Sequence, residues 1–141
     1  MTPSQKPHPF LVRIMPDQID SWTDKIYPHF EKISKNSNGK CLPEDILLGI
    51  QCAKMECWII LEEKTILSVF LTRMVLYPRR KICEYLACVG ERWKDWMYLL
   101  KEIDVWAKDQ GCDGMEALAP QKWRPVFPEY GVSHVIFEKD L

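Results

Sequence analysis

The apolar positions change their spacing three times along the chain, and each change marks an element. A β-rich run from Phe10 to Met15 ends at Pro16 and Asp17 and reads as a first strand. Ile19, Trp22, Ile26, Phe30 and Ile33 then recur at helical spacing, with Pro28 set to kink that helix or split it in two. Asn36 to Gly39 is a loop by composition. Pro43, Glu44 and Asp45 open a second helix, whose apolar stripe is Ile46, Leu47, Ile50 and Ala53. Three strands follow: a continuous apolar run from Cys57 to Leu61, an alternating one from Ile66 to Tyr77, and another from Ile82 to Val89. Glu91 to Gln110 reads as one helix with Trp93, Trp96, Leu100, Ile103 and Ala107 on its buried face, stopped by Gly111. Met115 to Ala119 is a strand, Gln121 to Tyr130 a short proline-interrupted helix, and Val132 to Glu138 the last strand.

The predicted order is β-α-α-β-β-β-α-β-α-β. Three consecutive strands followed by helical crossovers predict an α/β fold with a mixed central sheet, antiparallel first and parallel later. Helices then cover both faces. The 141 residues are the size of one ordinary domain, and we expect residues 10–141 to form it, with residues 1–9 as a flexible arm.

Composition narrows the chemistry. The 19 basic and 20 acidic side chains nearly cancel, which removes the generic electrostatic case for a nucleic-acid partner. No apolar run approaches the roughly 18 residues of a membrane span, so no membrane partner is expected. The six cysteines include several inside apolar runs, no C-x-x-C pair occurs, and the three histidines are scattered. That pattern predicts free thiols, a cytoplasmic setting and no metal site. The six tryptophans are unusual for this length and imply a thick aromatic core or an adhesive surface. Trp22, Trp58 and Trp106 fall on stripes or strands that burial would claim. The basic tip Arg79, Arg80 and Lys81 reads as a solvated hairpin turn.

Glu84 to Val89, then Leu99-Leu100, Trp106-Ala107, Gly111-Cys112 and Glu116-Ala117, followed by Trp123 and Tyr130-Gly131-Val132, form a recognisable series. It resembles the fourth strand, third helix, fifth strand and fourth helix of the GNAT N-acetyltransferases. The motif likeness covers about residues 84–132 and the element order almost the whole chain. The chain looks most like the small divergent GNAT-like proteins of bacteriophages, some of which are internal virion proteins. The resemblance implies acetyl-CoA as cofactor, an amine as acyl acceptor, and a cofactor loop at Cys88, Val89, Gly90, Glu91, Arg92 and Trp93. It implies Glu84 as general base, with Tyr130 the nearest phenol for the acid role. The family's acid position, four residues before Gly131, holds Phe127, and the glycine-rich loop is reduced to Gly90. The alternative expectation is a non-catalytic protein of the same fold, contacting phage virion or host proteins.

Overall fold

The computed structural model describes residues 8–141; the expected arm lies outside the described residues except for His8 and Pro9. Five strands form one sheet in the order β1-β2-β3-β4-β5. They are β1 (Phe10–Ile14), β2 (Glu56–Glu62), β3 (Thr65–Leu76), β4 (Lys81–Gly90) and β5 (Gly114–Ala117). The first four pair antiparallel and β5 lies parallel to β4, as the element order predicts.

Side chains alternate across the pleat and divide the interior into two layers. Cys57, Ile59 and Leu61 of β2, with Val69 and Leu71 of β3, point to one face. There they meet α1 (Ile19–Lys35) and α2 (Pro43–Gln51). The predicted stripe of α1 is buried at Ile19, Ile26, Phe30 and Ile33, with Trp22 half-buried. Pro28 does not break this helix. It lies on the exposed side, as does Asp24, the residue whose carbonyl loses its partner, so the missing bond is not buried in the core. Ala53 falls outside α2, exposed, with φ of 57°.

Trp58, Ile60, Phe70, Tyr85 and Cys88 point to the other face. The single predicted helix from Glu91 to Gln110 is there divided into α3 (Trp93–Trp96), a 3-10 turn (Met97–Leu99) and α4 (Leu100–Asp109). Trp96 causes the division: its backbone leaves helical geometry (φ −135°) while its indole is fully buried, donating from Nε1 to the Glu91 carbonyl at 2.7 Å. Residues Gln121–Val126 form a 3-10 helix containing Pro125, where a longer helix to Tyr130 is expected.

The expected last strand is absent. Val132 to Glu138 is exposed throughout and joins no ladder. Its β-branched and aromatic content suits a strand, but a strand exists only through a neighbour's hydrogen bonds. The sheet therefore ends at β5.

Candidate functional site

β4 carries an extra residue. Ala87 stands opposite Leu71 and Tyr85 opposite Thr72, so Leu86 is bulged out of the ladder with β3. The bulge puts Tyr85 and Cys88, three residues apart, on the same face. A bulge bends its strand and increases the twist, and here it turns β4 away from β5. Their pairing ends at Tyr85 and Ala117, with a last bond from the Leu118 N–H to the Tyr85 carbonyl at 2.8 Å. Pro120, which has no N–H to extend a ladder, then leads the chain into the 3-10 helix.

A cleft of about 910 Å³ opens where the two strands part. Ile33 and Ile46 line it from the α1–α2 layer, and Trp93, Trp123 and Val126 from the opposite layer. The loop joining α1 to α2 forms part of its rim, as do Ile136 and Glu138. Five of the six expected cofactor residues, Cys88, Val89, Gly90, Glu91 and Trp93, border this cleft; Arg92 does not.

The loop at the end of β4 is closed on itself. Gly90 has φ of 154°, and a Cβ there would meet the Ser68 side chain and come within 2.7 Å of the Leu67 carbonyl, so glycine is required. The Glu91 N–H donates to the Leu67 carbonyl at 3.1 Å. Arg92, in the left-handed region at φ 60°, donates from Nη1 and Nη2 to the two oxygens of Glu62, both at 3.0 Å. Its Nε donates to Asp95 at 2.8 Å. The two carboxylates push the Arg92 pKa above its ordinary value.

No family model and no curated protein matches the sequence. Solved structures do match. An aminoglycoside acetyltransferase from an uncultured soil metagenomic sample, in complex with sisomicin, superposes with a TM-score of 0.69 at 13% identity. The match covers 94% of this chain and 96% of that one. A probable acetyltransferase gives 0.68 at 11% identity, over 93% and 94% of the two chains. The ribosomal-protein-alanine N-acetyltransferase of Brucella melitensis biovar Abortus 2308 gives 0.62 at 8%, over 93% and 99%. The chain has the GNAT fold.

The cofactor implied by the GNAT fold, acetyl-CoA, requires its diphosphate to be held by free N–H donors and positive charge. The residues present do not fit it. The Glu91 amide is turned into the sheet, all three guanidinium nitrogens of Arg92 are engaged by carboxylates, and Glu91 adds a further acid. With only four residues, α3 has no helix dipole of consequence.

Glu84 is buried in β4 at 5% exposure, accepting from Arg73 Nε at 2.8 Å. Arg73 borders the cleft and Glu84 does not. Tyr130 lies beside Phe127 at 5.1 Å between ring centroids, also outside the cleft lining. Burial pushes its phenol well above the ordinary value, so it stays protonated at neutral pH. The base and acid expected from the sequence are thus not brought together around the cleft.

Sequence reasoning missed Arg73, Lys122 and the α1–α2 loop as cleft residues. Their signal is the bulge at Leu86, which no side-chain pattern announces. The basic tip is partly structural: Arg80 donates to the Asp113 carbonyl at 3.2 Å, and Lys81 Nζ to the Gln110 carbonyl at 2.6 Å. Among the described residues no cluster of His, Cys, Asp and Glu is arranged to hold a metal, and no helix is long and apolar enough to cross a membrane.

Proposed function

We propose that the protein uses the GNAT fold as a scaffold for contact with other proteins and does not transfer acetyl groups. The observation that carries this reading is Arg92, clamped by Glu62 and Asp95 beside an amide already spent on Leu67. A diphosphate entering there meets three carboxylates and must break a bidentate ion pair to find a cation. The misplacement of Glu84 and Tyr130 supports the same conclusion, since a fold persists when its site is lost. The resemblance to phage GNAT-like proteins makes a virion or host protein the partner class, met in the cytoplasm or in the particle.

Calorimetric titration with acetyl-CoA tests the reading. We expect no binding heat up to millimolar cofactor. Micromolar affinity, weakened by Arg92→Glu, would sink it.

A second reading has its own observation. The cleft between β4 and β5 is intact and of cofactor size. On that reading the protein is an acetyl-CoA-dependent N-acyltransferase acting on an amine, with Glu84 as base and Tyr130 as acid. Thiol release from acetyl-CoA in the presence of small polyamines and aminoglycosides, lost in Glu84→Gln, would establish it.

A further inference from the structure

Among the described residues, the backbone of β4 past Tyr85 has a neighbour on one side only. Residues Leu86 to Gly90 run beside Ser68 to Leu71 of β3, while β5 has already turned away. The free side of this stretch borders the cleft, whose lining includes Leu71, Leu86, Val89, Trp123 and Val126. An open strand edge in an apolar groove favours a ligand that supplies amide donors and acceptors at strand spacing along with apolar side chains. That ligand is an extended polypeptide.

The chain displays such a polypeptide. Val132 to Glu138 is rich in β-branched and aromatic residues, has no ladder partner among the described residues, and holds apolar side chains in solvent: Val132 is 69% exposed and Phe137 92%. We propose that residues 132–138 of a second copy of the chain add as a strand to the free edge of β4 and fill the cleft. This rests on the reading of the protein as a contact protein and names the contact.

Three features favour that occupant. The lengths agree, since the five residues of β4 that are open on one side extend roughly 17 Å and a strand of seven roughly 23 Å. The segment already stands at the rim: Glu138 Oε2 accepts from Asn38 Nδ2 at 2.9 Å and pairs with Lys40 at 3.3 Å, and Ile136 borders the cleft. The charges also agree. Apart from Glu138 itself, the cleft lining carries the cations Lys32, Lys40, Arg73 and Lys122 against the acids Asp45 and Glu91, and the segment brings Glu138. Exchange between two copies is reciprocal and covers the exposed apolar residues of both.

Hydrogen exchange of the full chain, read alongside sedimentation, tests the proposal. A synthetic peptide of residues 131–141 serves as probe in trans. We expect dimers as concentration rises, with exchange at residues 86–90 slowed about tenfold or more both by concentration and by the peptide. Ile136→Pro, at an exposed position outside every element, is expected to abolish dimerisation and leave the monomer folded. A monomer at every concentration that ignores the peptide overturns the proposal. So does slowing confined to residues 114–117, the outer edge of β5, or concentration-independent protection of residues 86–90 in a monomer. Acetyl-CoA in a parallel sample separates the two levels. If it protects residues 86–90, the contact reading itself fails; if neither cofactor nor peptide does, only the strand exchange fails.

Discussion

The layer under α1 and α2 and the layer under α3 and α4 are built from different side chains, although one sheet supports both. The first is mainly aliphatic, with Ile14, Ile19, Ile26, Ile46, Ile50 and Ile59 fully or almost fully buried around the single buried ring of Phe30. The second is a ring network centred on Phe70, which makes edge-on contacts with Tyr85 at 5.8 Å, Trp96 at 5.3 Å and Trp123 at 6.1 Å. Phe127 extends it from Tyr85 at 5.3 Å to Tyr130. Aliphatic side chains pack between helices without directing them. Rings with a polar handle also fix backbone, as Trp96 does by holding the Glu91 carbonyl. The aromatic layer thereby ties the Glu91 carbonyl, just past the end of β4, to a buried ring, while Gly90, Glu91 and Arg92 themselves stay exposed.

The most severe way to break this contrast is Trp96→Ala. We expect a loss of about 3–5 kcal/mol, measured by urea unfolding, against about 0.5–1.5 kcal/mol for Ile26→Val in the aliphatic layer. Similar losses would mean that the ring network has no special role.

Alkaline pH strains both layers. Burial pushes the thiols of Cys57 and Cys83 up to about 12 from 9.0, and that of Cys88 higher still. These raised values leave stability unaffected below about pH 9. Above it the unfolded chain gives up protons that the folded chain keeps, so stability falls as pH climbs towards 12. The slope is about 1.4 kcal/mol per pH unit for each such thiol. The measurement is urea unfolding at pH 8 and pH 10; a flat profile would mean that these thiols are not shielded. At neutral pH a thiol reagent should modify exposed Cys52 far faster than these three.

Gly90→Ala probes the junction between the layers and the cleft. The added Cβ meets Ser68 and the Leu67 carbonyl, and a loss of about 1–3 kcal/mol is expected in thermal unfolding. The smallest effect has the opposite sign. The Tyr85 hydroxyl is buried without a hydrogen-bond partner among the described residues, so Tyr85→Phe should leave stability unchanged or raise it by up to about 1 kcal/mol. A marked loss would reveal a partner for that hydroxyl, such as a bound water.

Local chemistry made much of the fold legible. The stripe from Ile19 to Ile33 is periodic enough to specify α1, and Pro43 with Asp45 marks the start of α2, where Asp45 accepts from the Leu42 N–H at 2.9 Å. Alternation located β3, and an apolar run after a turn signal located β4, each within a residue or two. The division of the helix after Glu91 was not legible, because a 3-10 turn preserves the three-residue spacing of Trp93, Trp96 and Leu99. Five of the cofactor-loop residues do border the cleft, yet the partners that neutralise Arg92 include Glu62, thirty residues away.

Sequence alone determined which segments are amphipathic, that Cys57 to Leu61 is a continuous apolar run, and that a GNAT-like order was in prospect. These are properties of neighbours in the chain, set by side-chain spacing and turn chemistry. Only the tertiary structure decided that the bulge at Leu86 opens the cleft, that Arg73 occupies Glu84, and that Val132 to Glu138 finds no partner strand. Each of those depends on a hydrogen bond or ion pair between distant residues, made or left unmade, which no local pattern encodes.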